Sequence, residues 1–537
     1  MKTRKMFIRI CVIITCLQFV NSQAFSSIRN LEIVYAEEGK LVKALRDFVN
    51  RSKAEGLPVA DSITGFLKDV EDARSHVHDV ELWMSHPINA LYFVSRIATK
   101  WGRIISSIEC ETCLETDSVK DFTSVWTAAK QIPNYWPTLL DTHQIYKSIL
   151  AFWNFYDLDL IDILNGKIGE KQTYPLTSAQ VIEMVKHSKY GNRRYAAVVW
   201  LQALHDRRNN TKLDVDENVS EQELDFELAT AYAEYMFPEK VVDIMSKYED
   251  SDDRLTQLRY DNLVRQAYQI PIQYRQNAVE RPKRNWNEDR IQHKALCKGN
   301  VTQTANVHFL KCLYRPTRIS YYRVKEEIVH QNPRVSIFHG LISELEIQEL
   351  RRRADNQLKQ SLSAEEKKHW VKFQISQSAW MADSEDRMLN RINHRIKLVT
   401  GLNTAHAEQK SLMNQHEILN FGVGGMHLYH YDAMVKNEFF DINRFPEKQR
   451  NKVMNDMDKM ATWMFHLSSV EEGGATVFPR LGVRVPATKG LALFWYNMDE
   501  MGSVDERMII AECPVLIGSK WTSKKWMSYE ENRSSFS

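Results

Sequence analysis

His430 and Asp432 lie two residues apart, separated by Tyr431, in a stretch that reads as a short strand. Side chains two apart on a strand share a face, so this imidazole and carboxylate can bind one metal ion. Together they make two thirds of the 2-His-1-carboxylate arrangement that holds Fe(II) on one side and leaves the other side for a co-substrate and dioxygen. A His-x-Asp triplet arises by chance in many sequences, so the third ligand decides, and it must come from further along the chain. No histidine follows His466. His427, three residues before His430, faces away from it on a regular strand. His466 falls on a predicted neighbouring strand, from which it could approach the pocket. A lysine deeper in such a barrel would hold the far carboxylate of a dicarboxylate co-substrate as a compact point charge.

These side chains need a rigid frame, and the pattern from about residue 334 supplies one. Helices are predicted from Ser343 to Ala354 and from Asp386 to Leu398. Short apolar runs follow at 418–423, 461–467, 476–478, 491–496 and 514–517, punctuated by Gly424-Gly425 and Gly473-Gly474. Runs of this length between turn signals predict an antiparallel sandwich or barrel. Upstream, about 25–165 reads as helical, with Leu31, Val34, Leu41, Leu45 and Phe48 at near-helical spacing and a break at His86-Pro87. A generic bundle and a self-association helix remain equal readings of that region. A second helical block spans about 175–270. It carries Tyr190, Tyr195 and Trp200 in one stretch, then Ala229, Tyr232, Tyr235 and Pro238 in the next. Small residues and aromatics at these offsets predict a tetratricopeptide-type helix pair, although aromatics at helical spacing are more often core than ligand platform. Residues of about 276–296 read as a polar linker whose basic run, Arg281 to Arg284, is a solvated segment rather than a nucleic-acid patch.

The bulk composition limits the alternatives. The 537 residues are 43% hydrophobic, enough for more than one core. The 71 basic and 69 acidic residues nearly cancel, which excludes nucleic acid as a whole-protein electrostatic partner. Lys2, Arg4 and Lys5 before an apolar stretch and Asn21-Ser22 read as a signal peptide over 1–22. The stretch is short for a membrane anchor. No other apolar run reaches spanning length, so the mature chain is expected to be soluble. Secretory entry leaves Cys110, Cys113, Cys297, Cys312 and Cys513 in an oxidising lumen, which allows Cys297–Cys312 and Cys110–Cys113 bridges with Cys513 left over. Cys110–Cys113 reads as a local structural bridge rather than a redox pair. Asn50, Asn209, Asn218, Asn300 and Asn532 head glycosylation sequons.

The motifs taken together resemble one family. FGVGGMHLYHYD at 421–432, EGGATVFP at 472–479, KGLALFWYN at 489–497 and ECPVLIGSKWTSKKW at 512–526 are similar to the collagen prolyl 4-hydroxylase alpha subunit. SQSAWM at 376–381 and RINHRIKLVTGL at 391–402 fit the segment upstream, and HPINA at 86–90 resembles a motif of the family's dimerisation region. The chain therefore resembles a divergent member over most of its length, most specifically from about 375 to 526.

The resemblance implies a multidomain α+β chain. Its expected parts are a signal peptide (1–22), a helical dimerisation domain (23–165), a tetratricopeptide-like peptide-binding domain (170–275), a linker with a Cys297–Cys312 disulfide (276–333) and a double-stranded β-helix, or jelly-roll, dioxygenase domain (334–530). It implies His430 and Asp432 as iron ligands, Lys520, Trp526 and Thr476 at the 2-oxoglutarate, and Tyr190, Tyr195, Tyr232 and Tyr235 along a peptide groove. It further implies Fe(II), 2-oxoglutarate and ascorbate, 4-hydroxylation of proline in procollagen-like X-Pro-Gly peptides, protein disulfide isomerase as partner in an alpha2beta2 tetramer, and the endoplasmic reticulum lumen. Three positions depart from the family. Ile510 stands where the second histidine ligand belongs, ten residues before Lys520. Phe421 replaces a tyrosine that reaches the 2-oxoglutarate, and the family's Tyr-Glu-Pro-His run reads His427-Leu428-Tyr429-His430. The expected outcome is weakened iron binding. A noncatalytic paralogue that binds peptide or regulates an active partner stands beside the catalytic reading, with Cys513 free and buried.

Overall fold

The computed structural model describes residues 27–108, 116–131, 136–186, 193–210, 219–281, 287–299, 311–319, 321–361, 376–408, 411–433 and 458–535. The expected signal peptide, Cys110, Cys113, Tyr190, Asn218 and Asn300 lie outside these residues. The chain divides into two compact units, one drawn from 1–90, 96–138 and 287–537, the other from 91–95 and 139–286. This division differs from the expected boundaries: helices from the N-terminal region belong to the same unit as the sheets.

The N-terminal helices of the first unit include α1 (Ile28–Ala54), α2 (Asp61–Ser75), α3 (Trp101–Ile108) and α4 (Asp117–Lys130). Ser27 caps α1 by accepting from the Asn30 N–H, and Leu31, Val34, Leu41, Leu45 and Val49 form its buried stripe. Glu38 on that stripe is fully buried. It accepts from Arg96, Arg74 and the Trp101 indole at 2.8–3.1 Å, which ties α1 to α2 and α3. The Ser27 hydroxyl also donates to Asn420 Oδ1 at 2.5 Å, which joins α1 to the strand before the His-x-Asp segment. The HPINA motif is a helix start: the Ile88 N–H donates to His86 Nδ1 at 3.2 Å, and Asn89 Nδ2 donates to the Trp83 carbonyl.

The sheets begin earlier than expected. After α5 to α10 of the second unit, described below, the segment read as a linker supplies helix α11 (Glu288–Cys297) and strands β1 (Lys311–Pro316) and β2 (Arg323–His330). Then come β3 (Val335–His339), α12 (Glu344–Ala354), β4 (Lys359–Gln360), β5 (Gln377–Ala382), α13 (Arg387–Thr400), β6 (Gln415–Phe421), β7 (His427–His430) and β8 (Lys459–His466). The last strands are β9 (Val470–Gly473), β10 (Thr476–Phe478), β11 (Val483–Val485), β12 (Ala492–Tyr496), β13 (Ile510–Glu512), β14 (Val515–Gly518) and β15 (Lys520–Ser528).

A nine-stranded sheet runs β1-β2-β3-β12-β8-β15-β6-β5-β4 and a four-stranded sheet runs β11-β10-β13-β7, all antiparallel, with β9 paired to β14. Val335, Ile337, Met464, Leu493 and Trp495 of the large sheet form one apolar layer with Phe478, Val483, Val485 and Ile510 of the small one. Two sheets facing across such a layer make the jelly roll. Another apolar cluster joins the large sheet to α12 and α13, so every residue of β8 and β15 is buried.

Apart from one short antiparallel strand pair, Lys167–Ile168 with Lys171–Gln172, the second unit is helical, and its longer helices are α5 (Leu139–Tyr156), α6 (Ser178–Lys186), α7 (Arg193–Asn210), α8 (Glu221–Glu234), α9 (Pro238–Met245) and α10 (Arg254–Gln269). From α6 onward each helix packs on its sequence neighbour, as a helix-pair repeat requires. Among the described residues no helix is long and apolar enough to cross a membrane.

Candidate active site

Asp432 follows β7 and is held from three sides. Its Oδ2 accepts from the Thr462 hydroxyl at 2.8 Å and from the Trp526 indole N–H at 3.3 Å, and its Oδ1 lies 3.3 Å from His430 Nε2. Thr462 accepts in turn from Asn497 Nδ2 at 2.9 Å, and Asn497 Oδ1 accepts from the Trp495 indole at 2.7 Å. This buried relay fixes the carboxylate's orientation. Burial works to raise the Asp432 pKa. The charge of Lys524, the hydrogen bond and charge of His430, and the charge of Lys459 outweigh it and hold the group well below its usual range.

The position across from His430 is Ile510, its direct partner in the β7–β13 pairing. Ile510 is fully buried, and its side chain belongs to the apolar layer with Met464, Phe478 and Met508. The side chain paired across from His430 is therefore hydrocarbon.

His427 does not face away. Three steps of β7 span two steps of β13, from the His430–Ile510 pair to the His427–Glu512 pair. A bulge adds one residue and reverses the alternation. It brings the two imidazoles into a stack with centroids 3.7 Å apart and planes 22° from parallel. Burial, then His430 and Lys524, hold the His427 pKa well below its ordinary value.

Lys520 and Thr476 do meet, around a carboxylate that the motifs did not single out. The Lys520 ammonium donates to Glu512 Oε2 and to the Gly474 carbonyl, the latter at 2.6 Å. The Thr476 hydroxyl donates to the same Oε2 at 2.7 Å, and Lys524 Nζ stands 3.7 Å from Oε1. Gly474 turns with φ +63, a conformation that glycine adopts freely, and presents its carbonyl to the lysine. Burial acts to raise the Glu512 pKa, but Lys520 and Lys524 outweigh it and keep the group lowered. Burial lowers the Lys520 ammonium against the opposing pull of Glu512. Phe421 lies across the strand pair from Lys520, its ring centroid 5.2 Å from Nζ.

Trp526 is not beside this lysine. Six residues, roughly 20 Å of strand, separate it from Lys520, and it serves Asp432 and stacks on Trp380. His466 is fully buried at the lysine end, under the charges of Lys520, Glu512 and Lys524. Burial first, then Lys520, pull its pKa down to about 3. Neither of its ring nitrogens has a hydrogen-bond partner among the described residues.

The disulfide expectation is corrected. Cys297 pairs with Cys513, Cα to Cα 5.5 Å, and Cys312 is a free, exposed thiol. Cys312 sits on edge strand β1, whereas buried Cys297 at the end of α11 faces the residue after Glu512. Among the described residues, one group of three potential ligands comes within 4.8 Å, His293 with Cys297 and Cys513, and its two sulfurs are bonded to each other.

In the helical unit Tyr195 is half-buried and stacks on Trp153 at 6.3 Å. Tyr232 is a core residue whose hydroxyl donates to Gln202 at 3.0 Å. Tyr235 is half-buried, and its hydroxyl accepts from the Glu280 N–H at 3.0 Å. These tyrosines do not form one open aromatic row.

The sequence model described as the N-terminal region of the prolyl 4-hydroxylase alpha subunit matches residues 27–170. Prolyl 4-hydroxylase subunit alpha-1 of Mus musculus is 26% identical over 529 residues, covering 94% of this chain and 93% of that protein. Subunit alpha-2 of Gallus gallus is 26% identical over 538 residues, covering 95% and 94%. Along nearly its whole length the chain is similar to prolyl 4-hydroxylase alpha subunits. Among solved structures, the viral collagen prolyl hydroxylase of Paramecium Bursaria Chlorella virus-1, in its 2OG complex, is 19% identical with a TM-score of 0.27, covering 36% of this chain and 94% of that one. Of the residues expected at the site, the structure brings His430 beside Asp432, and Lys520 and Thr476 onto one carboxylate. The motif reading missed Thr462, Asn497, Lys524 and Glu512. The two-residue period of KWTSKKW puts Lys520 and Lys524 on one face and was the available signal for Lys524.

Proposed function

We propose that this prolyl 4-hydroxylase alpha-subunit relative does not hydroxylate proline through iron and 2-oxoglutarate, and that it serves as a peptide-binding or regulatory subunit. One observation carries the reading: Ile510 pairs with His430 and is packed into hydrocarbon. The residues present do not fit a 2-His-1-carboxylate iron. Isoleucine offers no lone pair, and a water in its place would lack the two to four polar partners that a buried water needs. Loss of an outer-sphere partner alone costs about 10–100-fold in metal affinity, and loss of a ligand costs at least that.

The competing reading is catalytic: with Fe(II) and ascorbate, dioxygen would be consumed in hydroxylating C4 of proline in X-Pro-Gly peptides while 2-oxoglutarate is decarboxylated. The stacking of His427 on His430 favours it by bringing a second imidazole near. Imidazole lone pairs lie in the ring plane, however, and stacked planes only 22° apart do not meet at a point within bonding distance of both rings. His427 is therefore no substitute for the missing ligand.

The peptide role draws on the helical unit. Half-buried Tyr195, stacked on the buried Trp153, is the aromatic ring that such a role would turn to a polyproline II segment, whose preset shape lowers the cost of ordering. Similarity to prolyl 4-hydroxylase alpha subunits supports protein disulfide isomerase as partner in an alpha2beta2 assembly and the endoplasmic reticulum lumen as location. The test is Fe(II) and Mn(II) affinity of the purified complex, measured by calorimetry for the parent and for Ile510→His. The variant should bind at least about 10-fold more tightly. Equal affinities, or uncoupled 2-oxoglutarate decarboxylation by the parent, would overturn the reading. A pull-down on proline-rich peptide, repeated with Tyr195→Ala, tests the second role.

A further inference from the structure

We propose that Glu512 is a resident carboxylate in the subsite formed by Lys520 and Thr476, and that with Lys524 beside it the pocket is closed to an external dicarboxylate such as 2-oxoglutarate. The inference rests on the reading of Lys520 as the dicarboxylate anchor and goes beyond the Ile510 argument, since it concerns a different subsite and a different group.

Two of the three Lys520 ammonium protons and the single Thr476 hydroxyl proton are already committed. An ammonium has three protons to give. Lys520 directs its bonds to Glu512 Oε2 and the Gly474 carbonyl, and the Thr476 hydroxyl points at the same Oε2. An incoming carboxylate would need these same donors. It would also meet a like charge at hydrogen-bond distance in a buried site, where repulsion is far stronger than in water.

Charge is balanced without any ligand. Lys520 and Lys524 face Glu512, and Asp432 contributes the second carboxylate acting on Lys524. A bound dianion would add two negative charges to a set that already cancels. A divalent cation at Asp432 would be placed in the field of Lys524, a fixed cation.

Glu512 cannot swing out as a gate residue would. It is 1% exposed. Its strand is paired on both edges, Glu512 opposite Thr476 on one side and His427 on the other. The next residue, Cys513, is bonded to Cys297. A carboxylate so fixed competes at the high effective concentration of an intramolecular group, so it is a permanent occupant.

The test is binding of 2-oxoglutarate, glutarate and acetate to the full-length protein in metal-free buffer, by calorimetry and thermal shift. The parent should show neither heat nor shift at millimolar ligand. Glu512→Ala should melt lower than the parent, recover when glutarate or 2-oxoglutarate is added, and bind them on the order of 100-fold more tightly than the parent does. Parent binding as tight as the variant's, or a folded variant that gains no carboxylate, overturns the proposal. Where Glu512→Ala does not fold, a double-mutant cycle of Glu512→Gln with Lys520→Met decides. Unfolding constants coupled by about tenfold or more support the pairing, and additive effects overturn it. The Ile510→His metal titration does not report on Glu512, so either conclusion can fail while the other stands.

Discussion

Thr462 shows how much of this pocket depends on single hydroxyls. It donates to Asp432 and accepts from Asn497. Thr462→Val keeps the shape and deletes both bonds, leaving a buried amide donor and a carboxylate oxygen short of partners. The expected cost is about 1–3 kcal/mol in chemical denaturation, largely restored by Thr462→Ser. His430, Asp432 and Lys520 were legible because each occupies a recognisable motif position. Glu512 was not, because a glutamate beside Cys513 says nothing about its partners until β13 is laid between β10 and β7. His427 was misjudged for a similar reason: period-two alternation assumes a regular strand, and the bulge opposite β13 breaks that assumption.

At the level of elements, β13 carries both Ile510 and Glu512, and the Cys297–Cys513 bridge anchors its end to α11. The bridge closes a sequence separation of 216 residues, so its loss is costly. Cys297→Ser with Cys513→Ser should lower stability by about 2–5 kcal/mol, whereas Cys312→Ser should change it little. Native-state maleimide labelling mapped by mass spectrometry should find Cys312 reactive and Cys297 and Cys513 protected. Helix α1 depends in the same way on one buried carboxylate. Glu38→Gln leaves Arg74 and Arg96 facing a neutral amide and should cost about 3–5 kcal/mol, read from the denaturation midpoint. Sequon geometry is also decided by elements. Asn532 is 1% exposed, and its Nδ2 donates to the Asn403 and Ser528 carbonyls, so the folded chain does not offer it to a glycan, whereas Asn50 is exposed.

The molecule as a whole should be acid-labile. Burial holds His293 at about 4 and His466 at about 3, and keeps His416 well below its ordinary value. In the unfolded chain these groups take up protons near pH 6.5. The unfolded state therefore binds more protons between about pH 6.5 and the folded values, and stability falls as pH falls through that window. Each such histidine contributes a slope of up to about 1.4 kcal/mol per pH unit. Denaturation midpoints measured from pH 7.5 down to 4.5 should decline steadily, and His416→Gln should make the decline shallower.

Local spacing already contained the class of the molecule: helical periods first, short punctuated strands later, and among them a His-x-Asp pair, while the places of Lys520 and Ile510 came from the resemblance to the prolyl 4-hydroxylase alpha subunit. Such information survives in a linear chain because helical and strand periods are properties of neighbouring residues. Partnership across strands does not survive in it. That Cys297 meets Cys513 rather than Cys312, that the segment before 334 joins the large sheet, and that Lys520 is answered by Glu512 all follow from register and sheet packing, which bring together residues with no fixed distance along the chain.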